Sequence, residues 1–194
     1  MQTHVDRRTL LAAPALLAFA GTTAACAQLS NAPQQAASKT LVAYFTRSGN
    51  TRVIAGTLQR LLTADLFEIR AARPYPEDYE QTVEQARQER DRGYQPPLAS
   101  TVPNIASYDT MFLGFPIWGE TAPPVVRSFL VAHDLKGKIL RPFITHGGYG
   151  PGNSRAVLGE HARGVRIEAP FVMEADQERR TINEVKGWLN QIKT

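Results

Sequence analysis

Thr40-Leu41-Val42-Ala43-Tyr44-Phe45-Thr46-Arg47-Ser48-Gly49-Asn50-Thr51 decides how the chain is built. Thr40 to Thr46 is a continuous apolar run, the pattern of a strand buried on both faces of a parallel sheet. A polar turn containing one glycine follows at once. Beyond it, Ile54, Leu58, Leu61 and Leu62 recur at i, i+4, i+7 and i+8, the apolar face of a helix. Strand, tight polar turn and helix together open a βα unit.

The alternation continues outward. Asp65 to Ile69 reads as a second strand. Glu77 to Arg92 predicts a highly charged helix, docked on one edge through a narrow stripe of Tyr79, Val83 and Ala86. Residues 94–108, with Pro96, Pro97 and Pro103, read as a loop. Asp109 to Phe115 is a third strand and Pro116 to Glu120 the loop after it. Thr121 is placed to cap the next helix, with Pro123 and Pro124 in its first turn. Val125, Val126, Phe129 and Leu130 give that helix a buried face. Ile139 to Thr145 is a fourth strand, and a helix of about ten residues starts near Asn153 or Ser154. Val165 to Val172 holds the fifth strand. Asp176 caps the last helix, along which Ile182, Val185, Leu189 and Ile192 recur. Strands alternating with helices predict an α/β fold, a parallel sheet covered on both faces. Residues 40–194 read as one domain.

Composition narrows the function. The 194 residues are 43% hydrophobic and 21% charged, which suits a single globular domain. Fourteen glycines and thirteen prolines exclude collagen-like and low-complexity chains. Four histidines and one cysteine exclude a disulfide framework and a cysteine-rich zinc site. The net charge is +4, but no dense Lys/Arg run marks a nucleic-acid surface.

Residues 1–27 differ in kind. Arg7 and Arg8 precede an uncharged stretch from Thr9 to Ala27, diluted by alanine and threonine and interrupted by Pro14 and Gly21. This predicts an export signal rather than a membrane span. The paired arginines resemble the twin-arginine type, which carries folded cargo; an ordinary Sec signal is the other reading. Asp6 stands where Ser or Thr is commoner. Thr23-Ala24-Ala25-Cys26 resembles a degenerate lipobox, which would place a lipid anchor on Cys26. Ala25-Cys26-Ala27 is also an acceptable cleavage site, favoured by the poor Thr23, and leaves a mature chain without cysteine, so without thiol catalysis. Loss of Asp6, Arg7 and Arg8 lowers the net charge by one, to +3. Residues 28–39, rich in Gln, Ala, Ser and Asn, read as a flexible tether.

In sheets of this kind ligands bind outside the carboxyl ends of the strands, where the strand order reverses. Three loops therefore matter: 46–51, 116–121 and 146–153. Thr46, Arg47, Ser48, Gly49, Asn50 and Thr51 form a turn of hydroxyls and amides ending at a helix N-terminus, which suits an anion such as phosphate. It is also a common polar βα turn. Pro116, Ile117, Trp118 and Gly119 follow the third strand. Trp118 can stack on a flat aromatic ligand, or fold back onto the neighbouring helix as a satellite core residue. Thr145 to Asn153 holds four glycines in nine residues. Gly147, Gly148 and Gly150 let backbone amides approach a ligand closely. Tyr149 is placed to give a second aromatic face, and His146 a hydrogen-bond partner or proton donor.

Other chemistries fail. No G-x-x-x-x-G-K-[ST] phosphate loop occurs, and Gly148-Tyr149-Gly150 is followed by Asn153 where the dinucleotide fingerprint needs glycine or alanine. There is no H-E-x-x-H and no histidine pair at ligand spacing; His133 and His161 are expected late in exposed helices. Without a G-x-S-x-G elbow, Ser48 is a poor hydrolase nucleophile. The carboxylates clustered in 77–92 fit a solvated face.

The three loops, in this order after strands one, three and four, resemble those of flavodoxin-like proteins. Thr46 to Thr51 is similar to the family's T-x-[ST]-G-x-T phosphate loop. Phe112-Leu113-Gly114-Phe115-Pro116-Ile117-Trp118-Gly119, with Pro123 and Phe129, resembles its flavin-contacting loop and helix. Thr145 to Gly150 resembles its third loop, and the short layout with Tyr75-Pro76-Glu77-Asp78-Tyr79 looks like bacterial short flavodoxin-like domains. The resemblance covers about 40–192. It implies a flavodoxin-like three-layer sandwich, a five-stranded parallel sheet of order 2-1-3-4-5, and bound FMN. Thr46 to Thr51 would hold the phosphate, and 116–119 with 146–150 the isoalloxazine ring, Thr145 belonging to the same cofactor site. The chain departs from electron-shuttling relatives in being basic rather than acidic, and in carrying Gly119 where many have a second aromatic. Both departures bear on partner and potential.

Two readings follow: an exported FMN-dependent redox protein, either an electron carrier or a small reductase of quinone-like substrates, and a non-redox ligand-binding module on the same fold. A +3 domain is expected to favour an acidic partner or a neutral small molecule as its redox donor or acceptor.

Overall fold

The computed structural model describes residues 39–175 and 178–192. The predicted export signal, most of the tether and the Asp176 cap lie outside the described residues. β1 (Thr40–Tyr44) leads into α1 (Asn50–Leu62), and β2 (Asp65–Glu68) into α2 (Tyr79–Asp91). A 3-10 turn (Ile105–Ser107) interrupts the expected loop. Then come β3 (Thr110–Pro116), α3 (Pro124–Ala132), β4 (Ile139–His146), α4 (Ser154–His161), β5 (Arg166–Ile167), β6 (Phe171–Glu174) and α5 (Glu178–Ile192).

The sheet is parallel throughout, in the order β2-β1-β3-β4-β5, with β6 also on β4. This is the expected 2-1-3-4-5 α/β fold. The fifth position, however, is shared by two short strands rather than filled by one over 165–172. Leu140 pairs with Ile167 and Phe143 with Phe171, so two residues of β4 face three of the outer strand. The mismatch is a one-residue bulge between β5 and β6. Pro142 and Pro170 fall within it, and neither offers an N–H to the ladder.

Alternation along the strands sorts the core into two layers. Leu41, Ala43, Phe45, Met111, Leu113 and Phe115 face Val125, Val126, Phe129, Val157 and Leu158 of α3 and α4. Val42, Tyr44, Phe112 and Phe143 face Ile54 and Leu58 of α1 and Val185 and Leu189 of α5. Gly114 is needed where it stands: a Cβ there would lie 2.0 Å from the Phe143 ring.

Three side chains depart from expectation. Leu61 is 42% exposed, so the buried face of α1 runs through Thr51, Ile54, Ala55, Thr57 and Leu58. Thr121 does not cap α3, which starts at Pro124 behind Pro123; its hydroxyl accepts from Arg127 Nη2 at 3.0 Å. His133 is buried: its Nε2 accepts the Val102 N–H at 2.9 Å, so Nδ1 is left to donate to the Phe129 carbonyl at 2.7 Å.

Candidate functional site

β1 has β2 on one side and β3 on the other, so the strand order reverses at the carboxyl ends of β1 and β3. The turn after β1 is held from within. Thr46 Oγ1 accepts the Gly49 N–H at 3.1 Å, and Gly49 sits in the left-handed region at φ 98. No side chain caps α1, and its first turn carries no acidic residue. Its positive end thus carries neither a side-chain cap nor an acid, the setting that suits an anion.

The loop after β3 turns back sharply. Trp118 and Thr121 exchange backbone hydrogen bonds of 3.0 and 3.3 Å across Gly119 and Glu120, whose φ values are 54 and 62. Two central residues at positive φ make a turn of type I′. The Glu120 carbonyl then accepts the Asn153 N–H at 3.0 Å, joining this loop to the one after β4.

Trp118 stands in an aromatic cluster. Its ring meets Phe45 edge-on at 5.1 Å and Tyr75 edge-on at 4.9 Å. Tyr75 OH donates to Glu89 Oε2 at 2.7 Å, and Gln85 Nε2 donates to the other carboxylate oxygen at 2.8 Å. Glu89 is only 8% exposed on the inner side of α2. Burial, and then the bond to Glu89, push the Tyr75 phenol well above its ordinary value, so it remains a donor. Trp118 therefore packs in a satellite cluster with Phe45 and Tyr75, and it also lines a cavity.

That cavity, about 380 Å³, lies between the three loops and α2. Of the expected site residues it brings together Arg47, Ser48, Asn50, Pro116, Ile117, Trp118, Gly119, Thr145, His146 and Gly147. The others lie around it. Thr46 lines a neighbouring cleft with Phe45 and Tyr75, and Gly49 one shared with Asn50, Met173 and Glu174. Thr51 is buried, with its hydroxyl 2.9 Å from that of Thr145. Gly148 and Gly150 turn their amides onto His146 Nδ1, at 3.0 and 3.2 Å. Tyr149 is 89% exposed and outside the lining, so the second aromatic wall is not Tyr149. Tyr79 supplies it.

The wall formed by α2 is the part sequence reasoning missed. Tyr79, Thr82, Val83, Ala86, Arg87 and Arg90 line the cavity. The stripe Tyr79, Val83, Ala86 was visible at i, i+4 and i+7, but only Ala86 is buried; Tyr79 is 63% and Val83 43% exposed. An apolar stripe left open on a charged helix is the signal of a cavity wall. Two arginines fix that wall. Arg47 Nη2 donates to the Glu77 carbonyl at 2.8 Å with its guanidinium over the Tyr79 ring, and Arg90 Nη1 reaches the Gly119 carbonyl at 3.3 Å. Among the described residues the lining holds three arginines and no carboxylate, although Arg87 and Arg90 pair with Glu84 and Asp91.

A 2-1-3-4-5 doubly wound sheet with an uncapped helix N-terminus and an aromatic cavity at its switch point defines the flavodoxin-like class. A model of the Flavodoxin family matches residues 39–192, and the chain belongs to that family. No curated protein matches it. Among solved structures, a chain described as a flavoprotein from Bacteroides eggerthii is 32% identical, with 81% of this chain and 99% of that one covered at a TM-score of 0.69. Another, from Bacteroides uniformis, is 27% identical over 77% of this chain and 98% of that one, TM-score 0.68. The fold is shared by a flavoprotein from Lactobacillus acidophilus in complex with FMN, 20% identical over 78% and 99% of the two chains, TM-score 0.63.

Proposed function

We propose that the chain binds FMN noncovalently and exchanges electrons through it, as a carrier or as a small reductase of quinone-like acceptors. One observation carries this: a single cavity unites the uncapped turn of α1, the Trp118 loop and the Thr145-His146-Gly147 corner. Its volume lies within the range of about 300–1,000 Å³ usual for cofactor sites. Ser48 and the amides opening α1 are chemically matched to a phosphate, and Trp118 and Tyr79 to a flat ring. When bound, the flavin supplies one- or two-electron transfer; the protein supplies position and electrostatics. Support also comes from the family and from the FMN complex of the Lactobacillus relative. Purified protein is expected to be yellow, and its released chromophore to be FMN. A colourless protein that takes up no flavin refutes the proposal.

Export belongs to the same proposal. A site built from three loops distant in sequence exists only in the folded chain, so a twin-arginine route would carry FMN out already bound. Arg7→Lys with Arg8→Lys is then expected to trap a flavin-loaded precursor inside the cell, and normal export of that variant would contradict the route. For the partner, the +3 mature charge and the arginine-lined cavity favour an acidic protein or a neutral small acceptor.

A further inference from the structure

We infer that His146 is a hydrogen-bond donor of fixed tautomer, offering Nε2–H to a carbonyl oxygen on the ring of whatever ligand fills the cavity. Gly148 and Gly150 both donate their backbone N–H to His146 Nδ1, at 3.0 and 3.2 Å. An amide N–H can only donate to a lone pair, so Nδ1 carries no proton. The neutral imidazole then holds its one proton on Nε2.

The glycines make this geometry possible. Gly148 at φ 107 and Gly150 at φ 74 occupy the left-handed region, which lets two amides in three residues turn back to one nitrogen. The main chain beneath is fixed as well: the His146 carbonyl accepts the Ala175 N–H at 2.9 Å, and His146 pairs in register with Glu174 of β6. The glycine-rich loop thus has a role beyond close approach of its own amides. It spends two of them on setting the state of a side chain. A second proton on Nδ1 would break both contacts.

Nε2 has no protein partner among the described residues, and His146 lines the cavity together with Thr145, Gly147 and residues of α2. A neutral Nε2–H donates to a carbonyl oxygen and is matched to no cation. Planar rings bearing carbonyls, the pyrimidine part of a flavin or a quinone lying beside it, share that chemistry. The proposal rests on the flavin reading only for the identity of the ligand; the tautomer follows from the protein alone.

Long-range ¹H–¹⁵N correlation on ¹⁵N-histidine-labelled protein tests it, with the His146 signal assigned by its loss in His146→Asn. The ligand-free protein should show the Nε2–H pattern for His146 at neutral pH. Addition of FMN, or of the quinone menadione, should shift that Nε2–H signal while Nδ1 keeps its acceptor position. An Nδ1–H or doubly protonated pattern overturns the inference. So does an Nε2–H signal that moves with neither probe. A shift with menadione but no binding of FMN would uphold the donor while refuting the flavin reading. His146→Asn separates donor from loop support, because its side-chain oxygen can stand near Nδ1 and receive the glycine amides while the distal donor is gone. Affinity for the probe that shifts the signal should fall by up to about tenfold, the size of one hydrogen bond, with the unfolding midpoint unchanged. Unchanged affinity overturns the inference.

Discussion

Gly152→Ala should be far more damaging than Gly150→Ala, although both are loop glycines at positive φ. Gly152 has φ 51, and a Cβ added there would lie 1.9 Å from the Glu120 carbonyl oxygen and 2.5 Å from its carbon. These are backbone atoms of the turn that carries Trp118, and the same carbonyl accepts the Asn153 N–H at 3.0 Å. Relief of the clash therefore means moving one site loop away from the other. Gly150 has φ 74 and nothing within 4 Å of the added Cβ. Both variants carry the cost of a left-handed L-residue, about 1–2 kcal/mol. Gly152→Ala adds an overpacking cost of about 1–3 kcal/mol. Urea unfolding of both variants reads the difference, and flavin titration reads its consequence at Trp118. If Gly152→Ala is no less stable than Gly150→Ala, the contact between the two loops is not as described.

Thr51→Ala and Thr145→Ala should each cost about 1–3 kcal/mol by leaving a buried hydroxyl without its partner. A double-mutant cycle should give a coupling of at least about 0.5 kcal/mol, and zero coupling contradicts the contact. Trp118→Ala should raise bound-flavin fluorescence and weaken binding with the far-UV spectrum unchanged; unaltered emission and affinity would make Trp118 a packing residue alone. Burial pushes the Glu68 carboxyl up, but hydrogen bonds from Arg70 and Arg52 outweigh it and hold the group below its ordinary value. A lowered acid contributes stability above its unfolded pKa, about 4.3, which is lost as pH falls through the folded value. Acid unfolding should therefore steepen below that pH, and Glu68→Gln should remove part of the loss; identical acid limbs for the two proteins would contradict the pairing.

Much of the frame was legible because parallel strands buried on both faces leave long apolar runs. β1 and β3 were visible in this way, β4 despite Arg141 and Pro142 within it, and so were the loops that must follow them. The split fifth strand was not, because the pattern of Val165 to Val172 gives no count of the residues opposite it; Pro142 and Pro170 acquire meaning only once they are neighbours. Within the site, loop composition pointed to the residues that line the cavity near β1, β3 and β4. It could not orient them. Thr51 and Ser48 look alike in sequence, yet Thr51 turns its hydroxyl onto Thr145 in the core while Ser48 lines the cavity. Tyr149 and Tyr79 are likewise interchangeable as aromatic residues, and only the path of α2 across the loops selects Tyr79. The Glu89–Tyr75–Trp118 cluster joins residues 14 and 43 positions apart, a relation no local pattern carries.

Calorimetric titration of flavin-free protein with FMN and with riboflavin, repeated on Ser48→Ala, tests most directly whether the turn after β1 is a phosphate site and the cavity a flavin site. FMN should bind much more tightly than riboflavin. Ser48→Ala should weaken FMN by about 1–3 kcal/mol and leave riboflavin nearly unaffected. Equal affinity for the two flavins, or an equal loss for both on substitution, would contradict the assignment.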